Sequence, residues 1–201
     1  MEEKSKNFKI ETAYNRIDAH FLPGRLELRS GGDALQSAIN LQKPHQLALR
    51  NLEYLVAVLL FIPKPERVLM LGTAAGSLLH FLRYYYPDAA ITAVDIDIEF
   101  IEKLLDMEIL PPAQTGLSYV YEDAARYIEH CDQNYDLILI DVFSGAQSPA
   151  WLLEKKTTNH LFRLLANRGA LAYNLLIDSE HDFSCFYRDL RLVFAQQTLC
   201  L

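Results

Sequence analysis

Two glycines four residues apart, in Gly72-Thr73-Ala74-Ala75-Gly76, and an acid at Asp95 are the residues best suited to chemistry in this chain. They fall in a segment that reads as strand, turn, helix and a second strand ending in that acid. In an open parallel sheet such a turn lets a ligand approach the backbone, and the second-strand acid accepts ribose hydroxyls. The interior of the loop lacks the middle glycine of a dinucleotide fingerprint, and no Gly-Lys-Ser/Thr is present to cradle phosphates. A nucleoside without phosphates fits this loop best, and S-adenosylmethionine and its relatives are the natural candidates. A tight strand-to-helix turn that binds nothing has the same two glycines, so other residues must decide.

Three further acids recur where strands stop: Glu122 and Asp123 after the third strand of the alternating region and Asp141 after the fourth. Strand carboxyl ends converge on one crevice, so Asp95, with Ile96 beside it, can reach a ribose while Asp123 reaches an adenine amino group with Ala124 against the base. Asp123 also stands where an amino-terminal helix cap is expected, and the two uses are compatible. Asp141, above the glycine turn, could orient or deprotonate an attacking amine, or balance a sulfonium. Among the histidines, His45 is the one expected near a substrate, because it opens the helix leading into the nucleotide strand. His80, His130 and His160 lie on expected helices, and no histidine pair has metal-ligand spacing. Ser144 and Ser148 follow Asp141 without a nucleophile-elbow context, which disfavours hydrolysis.

The elements that must position these groups alternate regularly. Apolar runs predict strands over 67–71, 90–95, 117–121, 135–142 and 169–177. Helices are expected over 77–86, 99–107, 124–131, 158–165 and 182–194. That alternation predicts an α/β fold, a Rossmann-like, mainly parallel sheet flanked by helices. Before it, residues 13–21, 25–29 and 34–39 alternate between turn signals and read as two small hairpins, and a helix is expected over 44–60, ended by Pro63 and Pro65. The organisation expected is therefore a small β region over 1–43 and a nucleotide-binding domain over 44–201. Residues 197–201 read as a sixth strand, with no residues left for a seventh. An apolar strand with an open edge there would pair with another chain, as in a homodimer, or lie beneath the amino-terminal segment.

Bulk properties restrict the partners. The chain has 201 residues, a hydrophobic fraction of 51% and a net charge of −7. This excess of acids argues against a nucleic-acid binder and suits a cationic partner, although solubility alone accounts for it equally well. Cys131, Cys185 and Cys200 are too widely spaced for a zinc site and read as reduced thiols. The charged lead-in is unlike a signal peptide and no apolar run is long enough to span a bilayer, so a cytoplasmic location is the default expectation.

Several of these motifs together resemble the spermidine synthase-like group of the S-adenosylmethionine-dependent methyltransferase superfamily. The run YNRIDAHFLPGRLELRSGGDALQSAINLQKPHQL is similar to the β-hairpin region of polyamine aminopropyltransferases, with Gln36 at their glutamine and His45 at their histidine. LGTAAGSL matches the glycine loop, AVDID the ribose-binding acid, YEDAARYI the adenine-side acid and YDLILIDVFSG the catalytic loop through Asp141. The resemblance implies a class I methyltransferase-type sheet that binds S-adenosylmethionine or decarboxylated S-adenosylmethionine. It assigns Gln36, Gly72, Thr73, Ala74, Gly76, Asp95, Ile96, Asp123 and Ala124 to that cofactor, Asp141 to catalysis, and His45 and Ser144 to the acceptor. The departures fall on the acceptor side. The family's Asp-Ser-Ser-Asp loop is here Asp141-Val142-Phe143-Ser144, Ala75 replaces an aspartate, and Pro44 and Gln46 replace the tyrosine and glutamate beside the histidine.

Two functions are expected on these grounds: transfer of a methyl or aminopropyl group to a small amine-type acceptor, or nucleoside binding by a relative that has lost catalysis. Ala75 in place of aspartate favours the carboxylated donor. A polyamine aminopropyltransferase proper is the narrower alternative, and a nicotinamide oxidoreductase is opposed by the missing middle glycine.

Overall fold

The run Arg67–Leu71 is buried from its second residue onward, as a strand covered on both faces must be. The computed structural model describes residues 7–30, 34–144, 147–177, 179–195 and 198–200. In it this strand, β5, lies at the centre of a five-stranded parallel sheet, with β6 (Ala90–Asp95) and then β7 (Leu117–Tyr121) on one side and β8 (Tyr135–Ile140) and then β9 (Leu165–Tyr173) on the other. Chain order runs outward from β5 to β7, then jumps back to β8. The switch point therefore lies between β5 and β8, where ligands of such sheets bind at the strands' carboxyl ends.

Period-two side-chain alternation divides the core into two layers. Val68 and Met70 face one layer with Leu52, Leu55, Leu78, Leu79 and Leu82. Leu69 and Leu71 face the other with Ile138, Ile140, Ile128, Leu161 and Leu164. The helices that supply these residues are α1 (Arg50–Val56), α2 (Ser77–Tyr85), α4 (Ala124–His130) and α5 (Lys155–Leu164), joined by α3 (Ile98–Asp106) and α6 (Glu180–Val193).

The amino-terminal region is one antiparallel meander of four strands: β1 (Phe8–Glu11), β2 (Arg16–Leu22), β3 (Arg25–Ser30) and β4 (Ala34–Asn40). It replaces the two hairpins expected. The β1 strand is not legible because Ile10 alone of its four residues is buried. Ile10, Ile17, Leu26, Leu28 and Ile39 pack into the same core layer as Val68 and Met70, so the meander and the parallel sheet share one hydrophobic interior.

Other boundaries moved for physical reasons. The helix expected over 44–60 begins at Arg50 and tightens to a 3-10 turn over Ala57–Leu60, because Leu47 bridges to Ile39 and keeps the preceding segment beside β4. Strand β8 stops at Ile140, so Asp141 follows it directly. Strand β9 starts at Leu165 and ends at Tyr173, with an irregularity in its pairing between Tyr135 and Leu137 and a left-handed Arg168 (φ 64°). Helix α5 begins at Lys155, a turn before the expectation, without a side-chain cap. Of the expected sixth strand over 197–201, Gln197 and Leu201 lie outside the described residues, and Thr198, Leu199 and Cys200 are not in a strand. No helix among the described residues is long and apolar enough to cross a membrane.

Candidate functional site

Where β5 ends, the chain turns through Gly72 (φ 83°), Ala74 (φ 45°) and Gly76 (φ 79°) into α2. Only glycine fits at 72, since a Cβ there would stand 2.4 Å from the Asp141 carbonyl oxygen. Gly76 meets a different constraint: its Cβ would come 2.3 Å from Leu110 Cδ2, so this glycine serves packing against the segment after α3.

The loop is tied down from three directions. Asp95 Oδ2 accepts from the Thr73 N–H at 2.9 Å and from Thr73 Oγ1 at 2.7 Å. Ser37 Oγ on β4 accepts the Ala75 N–H at 3.2 Å, and Ser77 Oγ donates to the Ala38 carbonyl at 2.6 Å. The Gly72 N–H goes to the Val94 carbonyl and the Gly76 N–H to the Thr73 carbonyl. Among the described residues, the Ala74 N–H is the loop amide left to a ligand.

This loop borders a cavity of about 320 Å³, at the lower end of the 300–1,000 Å³ usual for small-molecule sites. Its walls include Gln36, Gly72, Thr73, Ala74, Asp95, Ile96, Asp123, Ala124, Asp141 and Ser144 from the sequence-derived set. Two members of that set are not in the wall. Gly76 faces Leu110 instead, and His45 stacks on Tyr84 with ring centroids 3.8 Å apart on the outer side of α2. The reason for the second correction is the late start of α1: His45 lies in a turn before the segment bridged to β4, and does not open a helix. Ala75, which stands where the resemblance expects an aspartate, is fully buried and outside the cavity wall.

Tyr14, Asn15, Phe143, Pro149 and Trp151 were not foreseen as lining residues. Tyr14 and Asn15 come from the β1–β2 turn, which is anchored through Asp97. Thr12 Oγ1 and Asn15 Nδ2 donate to Asp97 Oδ2 at 2.5 and 2.6 Å, while Asp97 Oδ1 caps α3 through the Phe100 N–H at 3.1 Å. Asp97 is 1% exposed, and its own N–H donates to Asp95 Oδ1 at 3.1 Å. One buried acid thus orients both the Asp95 carboxylate and a wall of the cavity. The local signal was the Asp-Ile-Asp run, whose second acid reads as a helix cap.

The acceptors and apolar surface in the cavity wall fit an adenosyl group. A carboxylate offers roughly four acceptor positions. Three on Asp95 are filled by Thr73 and Asp97, which among the described residues leaves one on Oδ1 open. Asp123 Oδ1 takes the Arg126 N–H at 3.1 Å as the α4 cap, leaving Oδ2 without a protein donor among the described residues. Ile96 and Ala124 supply apolar surface for a base. Across the cavity, Asp141 Oδ1 accepts from Asn174 Nδ2 at 2.7 Å. Burial pushes the Asp141 carboxyl above its ordinary range, and the Asn174 bond opposes that rise. Asn174 reaches it because the Asn174 N–H continues the β8–β9 pairing to the Ile140 carbonyl. Among the described residues no cluster of three or more His, Cys, Asp or Glu could hold a metal.

No family model matches the chain. It is 30% identical over 148 residues to a polyamine aminopropyltransferase of Neisseria meningitidis, an alignment covering 73% of this chain and 56% of the relative. It is 29% identical over 125 residues to an eEF1A lysine and N-terminal methyltransferase homolog of Drosophila melanogaster, covering 56% of this chain and 18% of that protein. The chain thus spans about half the length of the aminopropyltransferase it matches. Among solved structures, a probable spermidine synthase from Corynebacterium glutamicum superposes with a TM-score of 0.74 at 23% identity, over 85% of this chain and 64% of that one. Human methyltransferase-like protein 13 in complex with SAH superposes with a TM-score of 0.59 at 22% identity, over 71% and 68%. By sequence the chain is similar to the polyamine aminopropyltransferases, and its fold is the class I methyltransferase fold that it shares with the spermidine synthase and methyltransferase-like structures.

Proposed function

We propose that this protein binds an adenosyl sulfonium, S-adenosylmethionine or its decarboxylated form, and transfers an alkyl group from it to an amine. The single observation that carries the proposal is Asp95, which lines a cavity that Asp123 also lines and whose Oδ1 keeps an acceptor position not taken by the described residues. The acidic lining adds support, since Asp95, Asp123 and Asp141 all complement a cationic donor. One relative of the same fold was solved with SAH and another with AdoDATO, a transition state analogue of spermidine synthase.

When bound, the sulfonium makes its attached carbon electrophilic. The chain's own residues then hold and deprotonate the acceptor. Asp141, kept in orientation by Asn174, takes a proton from the acceptor's ammonium. The amine nitrogen would then be free to bond to the carbon that a bound donor supplies, with the electron pair of the breaking carbon–sulfur bond returning to sulfur. Desolvation raises the affinity of Asp141 for protons, the direction that favours a proton acceptor. A tail carboxylate on the donor has the Ala74 N–H for a partner, and a tail ammonium has Asp141, so the choice of donor is a matter for direct assay. The amino-terminal region, 1–43, acts in this proposal as a wall of the site, through Asn15, Gln36 and Ser37, with 44–201 as the nucleotide-binding part.

Thermal stabilisation by methylthioadenosine, S-adenosylhomocysteine, both sulfonium donors and NAD tests the reading. A ligand at a hundredfold excess over its Kd adds about 2.7 kcal/mol. Adenosyl compounds are expected to stabilise the wild type, and Asp95→Ala to abolish the effect. Stabilisation by NAD alone refutes the proposal.

A further inference from the structure

The wall next to Asp141 differs in character from the nucleoside half. Asp141 is followed by Val142, Phe143 and Ser144, and Pro149 and Trp151 line the same cavity. Of the three carboxylates in the lining, Asp95 and Asp123 flank the nucleoside position, so Asp141 is the acid left for an acceptor. The loop carrying these side chains is pinned at several points. Ser144 and Gln147 pair through their backbones, Ser148 Oγ accepts the Leu176 N–H at 2.9 Å, and Asn174 fixes Asp141. Trp151 is held by the turn Ala150–Leu153, where Thr157 Oγ1 donates to its carbonyl at 2.6 Å.

Resting on the proposed transfer, we infer that the acceptor is a monoamine with an apolar or aromatic body. Its single ammonium meets Asp141 and its body lies against Phe143, Pro149 and Trp151. A diamine places its second charge against these apolar side chains, where removal from water is costly and no further carboxylate among the described lining residues compensates. An aromatic or alkyl body instead buries apolar area there, and its ammonium gains further from the aromatic faces. Ser144, a hydroxyl where the related enzymes have their second acid, offers a hydrogen bond without a charge.

The test is acceptor binding to the wild-type protein saturated with methylthioadenosine, which keeps group transfer from confusing the result. By calorimetry, 2-phenylethylamine is expected to bind about tenfold or more tightly than 1,4-diaminobutane, one charged hydrogen bond's worth of affinity. Ser144→Asp is expected to reverse that order by supplying the second carboxylate. Equal affinities, preference for the diamine or binding of neither amine overturns the inference, and so does a Ser144→Asp protein whose preference is unchanged. If methylthioadenosine itself stabilises the protein, such a result leaves the adenosyl reading standing. If methylthioadenosine fails to stabilise it, that reading fails as well, so the two failures are distinguishable.

Discussion

Replacing Thr73 by valine removes one hydroxyl from a residue that is 1% exposed and changes its shape little. That hydroxyl donates to Asp95 Oδ2 at 2.7 Å, while the Thr73 N–H donates to the same oxygen at 2.9 Å and remains in the variant. A hydrogen bond to a charged group contributes about 1.5–3 kcal/mol, more than a neutral one. For a chain of this length each kcal/mol shifts Tm by about 2–4 °C, so Thr73→Val is expected to lower Tm by about 3–12 °C. The carboxylate also loses one of the three donors that fix its orientation, so the Kd for methylthioadenosine rises. Thr73→Ser keeps the hydroxyl and is the control. Differential scanning calorimetry and titration calorimetry on the three proteins decide the matter. A Thr73→Val protein with wild-type Tm and wild-type affinity, or a serine variant as impaired as the valine variant, refutes the claim that this hydroxyl secures Asp95.

Asp141→Asn is expected to reduce transfer by about 10²- to 10⁴-fold, the usual contribution of a proton acceptor, while raising Tm at pH 7. Burial raises the folded-state pKa above its ordinary value of 3.8, so the stability of the wild type is full below that value and falls as pH rises through the folded pKa. The variant's advantage must therefore vanish in scans below pH 3.8, and equal melting at pH 7 contradicts the account. Gly72→Ala, with a Cβ 2.4 Å from backbone oxygen at positive φ, is expected to eliminate adenosyl binding, whereas Gly76→Ala, which presses on the end of the Leu110 side chain, costs stability and retains binding. Isothermal titration of both separates the two glycines; equal loss of binding would sink the distinction. His45→Ala, which breaks a stack with the exposed Tyr84 ring outside the cavity, is expected to leave transfer within about twofold, and a larger fall in kcat/KM would return His45 to the site.

The sheet was legible because burial on both faces leaves continuous apolar runs such as Val68–Leu71 and Leu137–Ile140, which no other element explains as simply. The convergence of Gly72, Asp95 and Asp123 on one cavity was legible for a related reason: they stand at strand ends, and strand ends converge wherever the sheet is parallel. What escaped was set by contacts between distant parts of the chain. Asn15 reaches Asp97 across 82 positions and Asn174 reaches Asp141 across 33, and neither asparagine carries a local pattern. The helix start near His45 was misread by the same limitation, since the helix was delayed by a bridge from Leu47 back to Ile39. Trp151 lies in a short 3-10 turn, an element with no periodicity to detect.

The bonds from Ser37 to the Ala75 N–H and from Ser77 to the Ala38 carbonyl bear on the order in which the chain must fold. They span 38 and 39 residues, and the same core layer joins Ile17, Leu26 and Leu28 to Leu78 and Leu79. During synthesis the meander emerges first but has no interior of its own to close. It must wait for β5 and α2, and the ligand loop between them takes its final shape only when β4 arrives. Such long-separation closure slows folding and leaves apolar strands exposed meanwhile. Binding competence should therefore appear late in refolding, together with native tertiary packing and well after helical content.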